Sequence, residues 1–276
     1  MDEDDLNVCY EQLGFTEAPF RMTPDTDYFF PSPQHLQALE HLQFGIASGE
    51  LTMLTGEVGV GKTLVCRYLL RHPPQGVRFA YLLNPDQSYA DLLGSIYSDL
   101  TGQVHQDRSI GALQRSLSSL LLQLAGQGER VAVLVDEAHR LSGKVLEGLR
   151  LLSNLDTEKE KLMCLVLVGQ PELERTLSHR ALRPLAQRIS TRFRLEPFDC
   201  WETMDYIRHR LMVTGAGTRF QFSPRVLMLT HYLSGGVPRR INQLCQRALF
   251  AAYAGGRFKV SARMVLRAKR EITGLT

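Results

Sequence analysis

Residues 51–63 combine an apolar run with a glycine-rich turn that ends in Lys-Thr. The stretch from Gly56 to Thr63 matches the phosphate-loop pattern G-x-x-x-x-G-K-[ST]. Its glycines let backbone N–H groups face inward, and the start of a following helix adds more, so the loop forms a concave anion site. Lys62 would reach the terminal phosphates of a nucleotide, and Thr63 would place its hydroxyl on Mg²⁺. The sequence therefore predicts binding of ATP and Mg²⁺.

The predicted nucleotide contacts cover the whole turn and the first residues of the helix. They are Gly56, Glu57, Val58, Gly59, Val60, Gly61, Lys62, Thr63 and Leu64.

Two carboxylates, Asp136 and Glu137, end the apolar run of residues 130–135. Continuous apolar runs are typical of parallel strands buried on both faces, and ligands bind at the carboxyl ends of such strands. We expect Asp136 to complete the Mg²⁺ shell and Glu137 to polarise the water that attacks the γ-phosphate. His139 completes Asp-Glu-Ala-His, letters shared with one helicase class, but a structural role at a helix start is favoured over catalysis.

Gln170 follows the apolar run of residues 162–168. If that run is the strand beside the one that ends at Asp136, the Gln170 side chain would sense the γ-phosphate and its water. The alternative is a turn glutamine placed before Pro171. The phosphate-sensing role is the favoured interpretation.

Three arginines complete the candidate site. Arg188 and Arg192 precede a fifth strand, predicted over residues 194–198, and from there they would reach the nucleotide of a neighbouring subunit. Arg239 follows a proline in Gly236-Val-Pro-Arg, and proline is favoured at a helix start. We therefore expect Arg239 in the first turn of a helix.

Strands and helices alternate along the chain as far as residue 199, and beyond it the predicted elements are helical throughout. This alternation predicts an α/β domain with a parallel sheet, followed by a helical domain. The predicted domains are an N-terminal arm over residues 1–33 that packs on the core, a nucleotide-binding domain over 34–199, and a helical lid over 200–276. The predicted helices span residues 34–46, 64–70, 89–100, 110–124, 144–155, 173–185, 201–213, 224–233, 237–254 and 262–272.

The composition suits a soluble globular protein, with 44% hydrophobic and 22% charged residues in 276. No apolar run approaches the length of a membrane span, and the acidic N-terminus is the opposite of a secretory signal. We expect a cytoplasmic protein, with peripheral attachment to the inner membrane as a further possibility. The five cysteines are scattered without a C-x-x-C pair, so neither a zinc site nor a disulfide framework is predicted.

The charges are distributed unevenly. Residues 201–276 hold 13 Lys and Arg against 3 Asp and Glu, whereas residues 1–200 hold 19 against 26. The basic region is a candidate surface for DNA, or for the acidic core of a neighbouring subunit. Arg263, Arg267 and Arg270 fall on one helical face, which is either part of such a binding surface or a solvated charged face. The solvated charged face is the favoured interpretation.

The ordered motifs resemble those of the AAA+ ATPases. Within them, the chain is similar to the ExeA/GspA family of bacterial secretion ATPases, most closely its short MshM-type members from mannose-sensitive pilus biogenesis. The resemblance covers nearly the whole chain. Beyond the phosphate loop it is carried by Phe15 to Phe20, Pro24-Asp25, Asp136-Glu137-Ala138, Leu146 to Leu155, Val168 to Leu173, Gln187-Arg188-Ile189 and Pro238-Arg239-x-Ile241-Asn242.

The resemblance implies a P-loop fold of the ASCE type, with a five-stranded parallel sheet followed by a small all-helical lid. It implies Mg²⁺-dependent hydrolysis of ATP by a homo-oligomer, either a ring or a helix, that drives or regulates assembly of a pilus or a type II secretion complex. It also implies that Arg239 is the sensor 2 arginine and that Arg188 or Arg192 is an arginine finger acting in trans. The chain departs from the family at Leu64, where Thr is usual, and at His139, where Gln is usual.

Two other functions stay open. One is a DNA-linked AAA+ regulator of transposition or replication, and the other is a nucleotide-gated scaffold with little turnover. Long secretion members of the family continue through a membrane span into a periplasmic peptidoglycan-binding region, whereas this chain stops at Thr276. The expectation is a cytosolic pilus-type relative or the ATPase region of a longer protein.

Overall fold

The computed structural model describes residues 10–83, 88–155, 161–215 and 221–274. By their contacts the residues group into two compact units, which are described separately. The sheet unit comprises the described parts of residues 33–58 and 65–195. The helical unit comprises the described parts of residues 1–32, 59–64 and 196–276.

Five parallel strands form the centre of the sheet unit, in the order β2-β3-β4-β1-β5. Strands β1 and β4 are buried along their whole length, which explains the continuous apolar sequence of β4. The parallel five-stranded sheet predicted from the sequence is therefore confirmed. The strands are β1 (Leu51–Gly56), β2 (Val77–Leu82), β3 (Arg130–Val135), β4 (Met163–Gly169) and β5 (Ile189–Leu195).

Helices connect these strands, and several begin at a serine cap. The hydroxyls of Ser88, Ser109 and Ser142 each accept a hydrogen bond from the backbone N–H three residues later, which satisfies one free donor in the first turn. The apolar faces of the three helices that follow these serines join the strands in one hydrophobic cluster. The helices are α1 (Pro33–Ser48), α2 (Lys62–Arg71), α3 (Tyr89–Thr101), α4 (Ile110–Gly126), α5 (Gly143–Leu152), α6 (Glu172–Leu177) and α7 (Arg183–Ala186).

Strand β5 lies earlier in the chain than the sequence predicted. The predicted span of residues 194–198 is wrong, because β5 runs over Ile189–Leu195. It is an edge strand whose residues alternate between buried and exposed, so Arg192 and Arg194 interrupt the apolar pattern. Consequently Arg192 lies inside the strand, and only Arg188 precedes it.

The region after β4 also differs from its prediction. Instead of the predicted helix over residues 173–185 with a break at Pro184, the chain forms α6, a 3-10 turn over Arg180–Leu182, and α7. Pro184 stands in the first turn of α7, so it starts a helix rather than breaking one.

The helical unit contains four main helices and a short ladder. The fully helical prediction is wrong at β6 (Gln221–Phe222) and β7 (Lys259–Val260), which pair in parallel and are too short to leave a sequence pattern. An Asp199–Glu202 capping box opens the first of these helices. The helices are α8 (Cys200–Val213), α9 (Pro224–Ser234), α10 (Pro238–Ala254) and α11 (Ala262–Thr273).

The N-terminal arm contributes to the core of the helical unit. Tyr10, Phe15 and Phe20 are buried in one hydrophobic cluster with residues of α8 and α10. The buried guanidinium of Arg210 holds the arm, donating to the carbonyl oxygens of Pro19 at 2.6 Å and Arg21 at 3.1 Å. The domain bounds given above stay a prediction.

Among the described residues, no helix combines the length and the apolar character needed to cross a membrane. The cysteines within the described part, Cys66, Cys164, Cys200 and Cys245, are free thiols. Cys9 lies outside the described residues.

Candidate functional site

The glycine-rich loop after β1 adopts backbone conformations that other residues avoid. Gly59 and Gly61 have φ angles of 85° and 111°. A Cβ on Gly59 would lie 2.6 Å from the Cβ of Arg239, so the loop and the first turn of α10 approach each other too closely for any side chain at this position. The backbone N–H of Arg239 donates to the carbonyl oxygen of Gly59 at 3.2 Å. The structure thus brings together two predicted site residues of the helical unit.

Helix α2 begins at Lys62, directly after this loop. Its first turn presents backbone N–H groups that the helix itself does not use, which is the feature expected of an anion site. Lys62 is buried, and Thr63 is partly buried.

Asp136 follows β3 and is almost fully buried, at 1% exposure. One carboxylate oxygen, Oδ1, accepts the backbone N–H of Glu137 at 2.9 Å, and Oδ2 accepts the Tyr81 hydroxyl at 3.1 Å. Burial, together with the charge of Asp136, raises the pKa of Tyr81 far above its ordinary value. Tyr81 therefore stays a neutral donor that orients the Asp136 carboxylate.

Glu137 has a left-handed backbone, with φ 53° and ψ 31°, and among the described non-glycine residues it alone has positive φ. Such a conformation costs on the order of 1 kcal/mol and is found preferentially at functional sites. The carboxylate is about one-third exposed, and its Oε2 lies 3.5 Å from Nε2 of the Gln170 side chain. Glu137 is thus held in an unusual conformation at the end of β3, next to a residue that follows β4.

His139 joins the same group. The backbone N–H of Gln170 donates to His139 Nδ1 at 3.3 Å, and His139 Nε2 lies 3.5 Å from Glu137 Oε2. Because β3 and β4 are parallel neighbours, Asp136, Glu137 and Gln170 lie together just beyond the carboxyl ends of these two strands. This is the grouping that the sequence predicted for these three residues, whose chemical roles stay predictions.

A second contact fastens the end of β1. The hydroxyl of Thr55, which is buried, donates to Glu174 Oε1 at 2.6 Å, and Glu174 lies in α6, directly after the turn that follows β4. Thr55, Glu174 and Tyr81 were not among the site residues predicted from the sequence. Their position at or near the carboxyl ends of strands was the one available signal.

Arg192 lies on β5, the strand at the side edge of the sheet, Arg188 directly precedes this strand, and both arginines are exposed. Arg188 hydrogen bonds to Oδ1 of Asn154, and Arg192 donates to the carbonyl oxygen of Ala186 at 2.8 Å. Arg188 stands at the amino end of β5, whereas Gln170 follows the carboxyl end of β4. Because the strands are parallel, the two residues lie at opposite ends of the strands. Within this unit the structure keeps Arg188 apart from the strand-end carboxylates.

Comparison with known proteins agrees with this architecture. Residues 46–177 match a family described as AAA domain. Over 264 residues the chain is 42% identical to General secretion pathway protein A of Aeromonas hydrophila, an alignment that covers 95% of this chain and 48% of that protein. The chain thus spans about half the length of the curated relatives it matches.

Solved structures show the same fold at low sequence identity. The ORC2 protein of Aeropyrum pernix, in its ADPNP–ADP complexes, has a TM-score of 0.65 at 21% identity and covers 86% of this chain and 66% of its own. Cdc6p from Pyrobaculum aerophilum has a TM-score of 0.68 at 20% identity, with 90% and 71% covered. The sheet order, the loop after β1 and the acidic pair after β3 define an AAA+ architecture. The chain belongs to the AAA+ ATPases and, within them, to the ExeA/GspA secretion family.

Proposed function

We propose that the chain hydrolyses ATP as a homo-oligomer and thereby drives a conformational change in a partner complex of the bacterial envelope. The observation that supports hydrolysis is the strained backbone of Glu137 after β3. Its carboxylate lies beside Gln170 at the carboxyl ends of the strands. A catalytic base is expected to be a carboxylate that follows a buried strand and has a strained backbone held in place by the fold.

In this proposal each residue keeps the role predicted from its type. The loop of residues 56–63 and Lys62 bind the phosphates, and oxygens of Thr63 and Asp136 hold Mg²⁺, which when bound neutralises charge on the phosphate oxygens. Glu137 accepts a proton from water as the water oxygen attacks the γ-phosphorus and the bond to the β-phosphate oxygen breaks. Gln170 orients that water.

The glycine conformations support a phosphate ligand. Gly59 and Gly61 have positive φ angles, and glycine-rich turns of this kind can direct successive backbone N–H groups toward an anion. The contact between Gly59 and the first turn of α10 supports a role for Arg239 as sensor 2, since it ties that turn to the loop.

We further propose that Arg188 or Arg192 acts on the nucleotide of a neighbouring subunit. Both arginines are exposed, Arg188 just before the edge strand and Arg192 on it, so a second copy of the chain has access to them. An arginine finger supplied in trans makes hydrolysis depend on assembly.

The envelope as the place of action is proposed from the identity to General secretion pathway protein A. A pilus of the mannose-sensitive type or a type II secretion complex would supply the partner. The chain would then act on the cytoplasmic side of the inner membrane.

The test is the ATPase rate per subunit measured against protein concentration, with Mg²⁺, with and without double-stranded DNA. We expect a rate that rises with concentration, ignores DNA, and falls by about a hundredfold to ten-thousandfold, but stays measurable, in Glu137→Gln. One of Arg188→Ala and Arg192→Ala should lower the assembled rate by about a thousandfold. Arg175→Ala, an exposed arginine on α6, is the matched control and should leave the rate unchanged.

Other outcomes would point to the alternatives. The basic region of residues 201–276 favours DNA, and stimulation by DNA that falls steeply with salt would support a DNA-linked regulator instead. An assembled protein that binds ATP without measurable turnover would support the nucleotide-gated scaffold.

A further inference from the structure

His139 lies between the end of β4 and the carboxylate of Glu137. Its Nδ1 accepts the backbone N–H of Gln170 at 3.3 Å, and its Nε2 is 3.5 Å from Glu137 Oε2. Only 13% of the His139 side chain is exposed, so the ring is enclosed in this position.

The hydrogen bond from the Gln170 backbone determines the tautomer of the ring. An imidazole nitrogen that accepts a hydrogen bond carries no proton, so in the neutral ring the proton is on Nε2. The nitrogen that faces Glu137 is therefore a donor. The Gln170 side-chain Nε2, also a donor, lies 3.5 Å from the same carboxylate oxygen.

Both donors lie near the same oxygen of the Glu137 carboxylate, Oε2. Within the described residues, the side-chain contacts of the Glu137 carboxylate fall on Oε2. Oε1 is thereby the oxygen that can accept a proton from water. Distances of 3.5 Å are long for hydrogen bonds, and such contacts commonly shorten when the substrate is bound.

The backbone is built to allow this approach. A Cβ on Gly169 would lie 3.2 Å from the backbone nitrogen of His139, so the glycine lets the turn after β3 pack closely against the end of β4. The left-handed conformation of Glu137 turns the chain between the end of β3 and His139. The contact between His139 and Gln170 therefore depends on the main-chain conformation after β3 and at the end of β4.

We propose that His139 is a positioning residue for hydrolysis, which ties the Glu137 carboxylate to the backbone at the end of β4 and presents Oε1 to the attacking water. This inference rests on the proposed ATPase function. It also predicts that any movement of Gln170 on contact with the γ-phosphate is transmitted to Glu137 through the imidazole ring.

The test compares two substitutions of His139 in the assembled protein. His139→Phe keeps a planar ring and removes both nitrogens, so we expect kcat to fall by about tenfold to a hundredfold, with the KM for ATP and the Kd for ADP unchanged. His139→Gln supplies an amide oxygen for the Gln170 N–H and an amide N–H for Glu137, and should retain most of the wild-type kcat. His179→Phe, an exposed histidine after α6, is the matched control.

A double-mutant cycle separates positioning from a general effect on packing. In a Glu137→Gln background, His139→Phe should cause no further loss of kcat, because the carboxylate that it positions is absent. An equal loss in both backgrounds, a wild-type kcat in His139→Phe, or a failure of His139→Gln to restore kcat would overturn the proposal.

One further measurement does not depend on turnover. Nitrogen NMR of the imidazole should show the Nε2–H tautomer for His139, and an Nδ1–H tautomer would contradict the inference. If the wild type shows this tautomer but no ATPase activity, the proposed function fails, and the positioning role fails with it, while the described geometry stands.

Discussion

At the scale of single residues, Asp136 shows how a strand-end carboxylate is kept in place. It is buried after β3, and both of its oxygens accept a hydrogen bond from a neighbouring group. The Tyr81 hydroxyl comes from the end of β2, which pairs with β3 in register up to Leu82 and Val135. A buried carboxylate needs such donors, because an unsatisfied charge in the interior is costly.

Removal of the Tyr81 hydroxyl should therefore affect both stability and metal use. In Tyr81→Phe we expect the free energy of unfolding to fall by about 2 kcal/mol, the usual size for a hydrogen bond to a charged group. If Asp136 holds Mg²⁺, the Mg²⁺ concentration needed for half-maximal ATPase activity should rise as well, because the carboxylate loses its orientation. Denaturant unfolding and a Mg²⁺ titration measure the two effects.

Tyr232→Phe is the matched control, since this tyrosine in α9 is 83% exposed. It should change neither quantity. Equal stability of Tyr81→Phe and the wild type would mean that the hydroxyl contributes nothing to holding Asp136.

At the scale of elements, the loop after β1 and the first turn of α10 act as one piece of structure. Gly59 accepts the N–H of Arg239, and the two backbones approach so closely that the glycine has no space for a side chain. The positive φ of Gly59 adds a second requirement for glycine.

A methyl group at Gly59 should push α10 away from the loop. We expect Gly59→Ala to lower the affinity for ATP by at least about tenfold, because loop positioning tolerates little displacement, and to destabilise the protein by about 1–3 kcal/mol. Titration with a fluorescent ATP analogue and thermal unfolding check the two expectations.

Gly235→Ala separates conformational cost from collision. Gly235 ends α9 with a φ of 63°, but a Cβ there meets nothing within 4 Å. It should lose stability of the same order without losing nucleotide affinity. Similar affinity losses in both variants would show that the contact with Arg239 has no part in binding.

At the scale of the whole molecule, each compact unit has its own hydrophobic cluster. In the helical unit the cluster includes the N-terminal arm, although the arm is far from α8 in sequence. Arg210 holds the arm through two carbonyl oxygens, and its guanidinium lies 4.1 Å from the centre of the Tyr28 ring. The arm is therefore part of the folded helical unit.

Loss of this guanidinium should release the arm. In Arg210→Met the carbonyl oxygens of Pro19 and Arg21 lose their donor in a buried setting, so we expect a destabilisation of about 2–3 kcal/mol and faster proteolysis within residues 10–30. Limited proteolysis with mass spectrometry would locate the cuts. Arg208→Met, on the same helix but paired with Asp205 in an exposed salt bridge, should behave as the wild type.

Much of the fold was predictable because its signals are local. The buried strands β3 and β4 contain continuous apolar runs, and most helices begin and end within a few residues of their predicted bounds. Strand β5 was misplaced because an edge strand exposes one face, where arginines replace apolar residues. The two-residue strands β6 and β7 leave no periodic pattern at all.

The glycine loop, the buried strands and the strand ends at Asp136 and Gln170 were predictable, since each depends on residues adjacent in the chain. Two contacts became visible only in the folded protein: Tyr81 meets Asp136, 55 positions away, and His139 lies between Gln170 and Glu137. These contacts depend on which strands become neighbours. Strand order results from the packing of whole elements, and no local pattern of residue types encodes it.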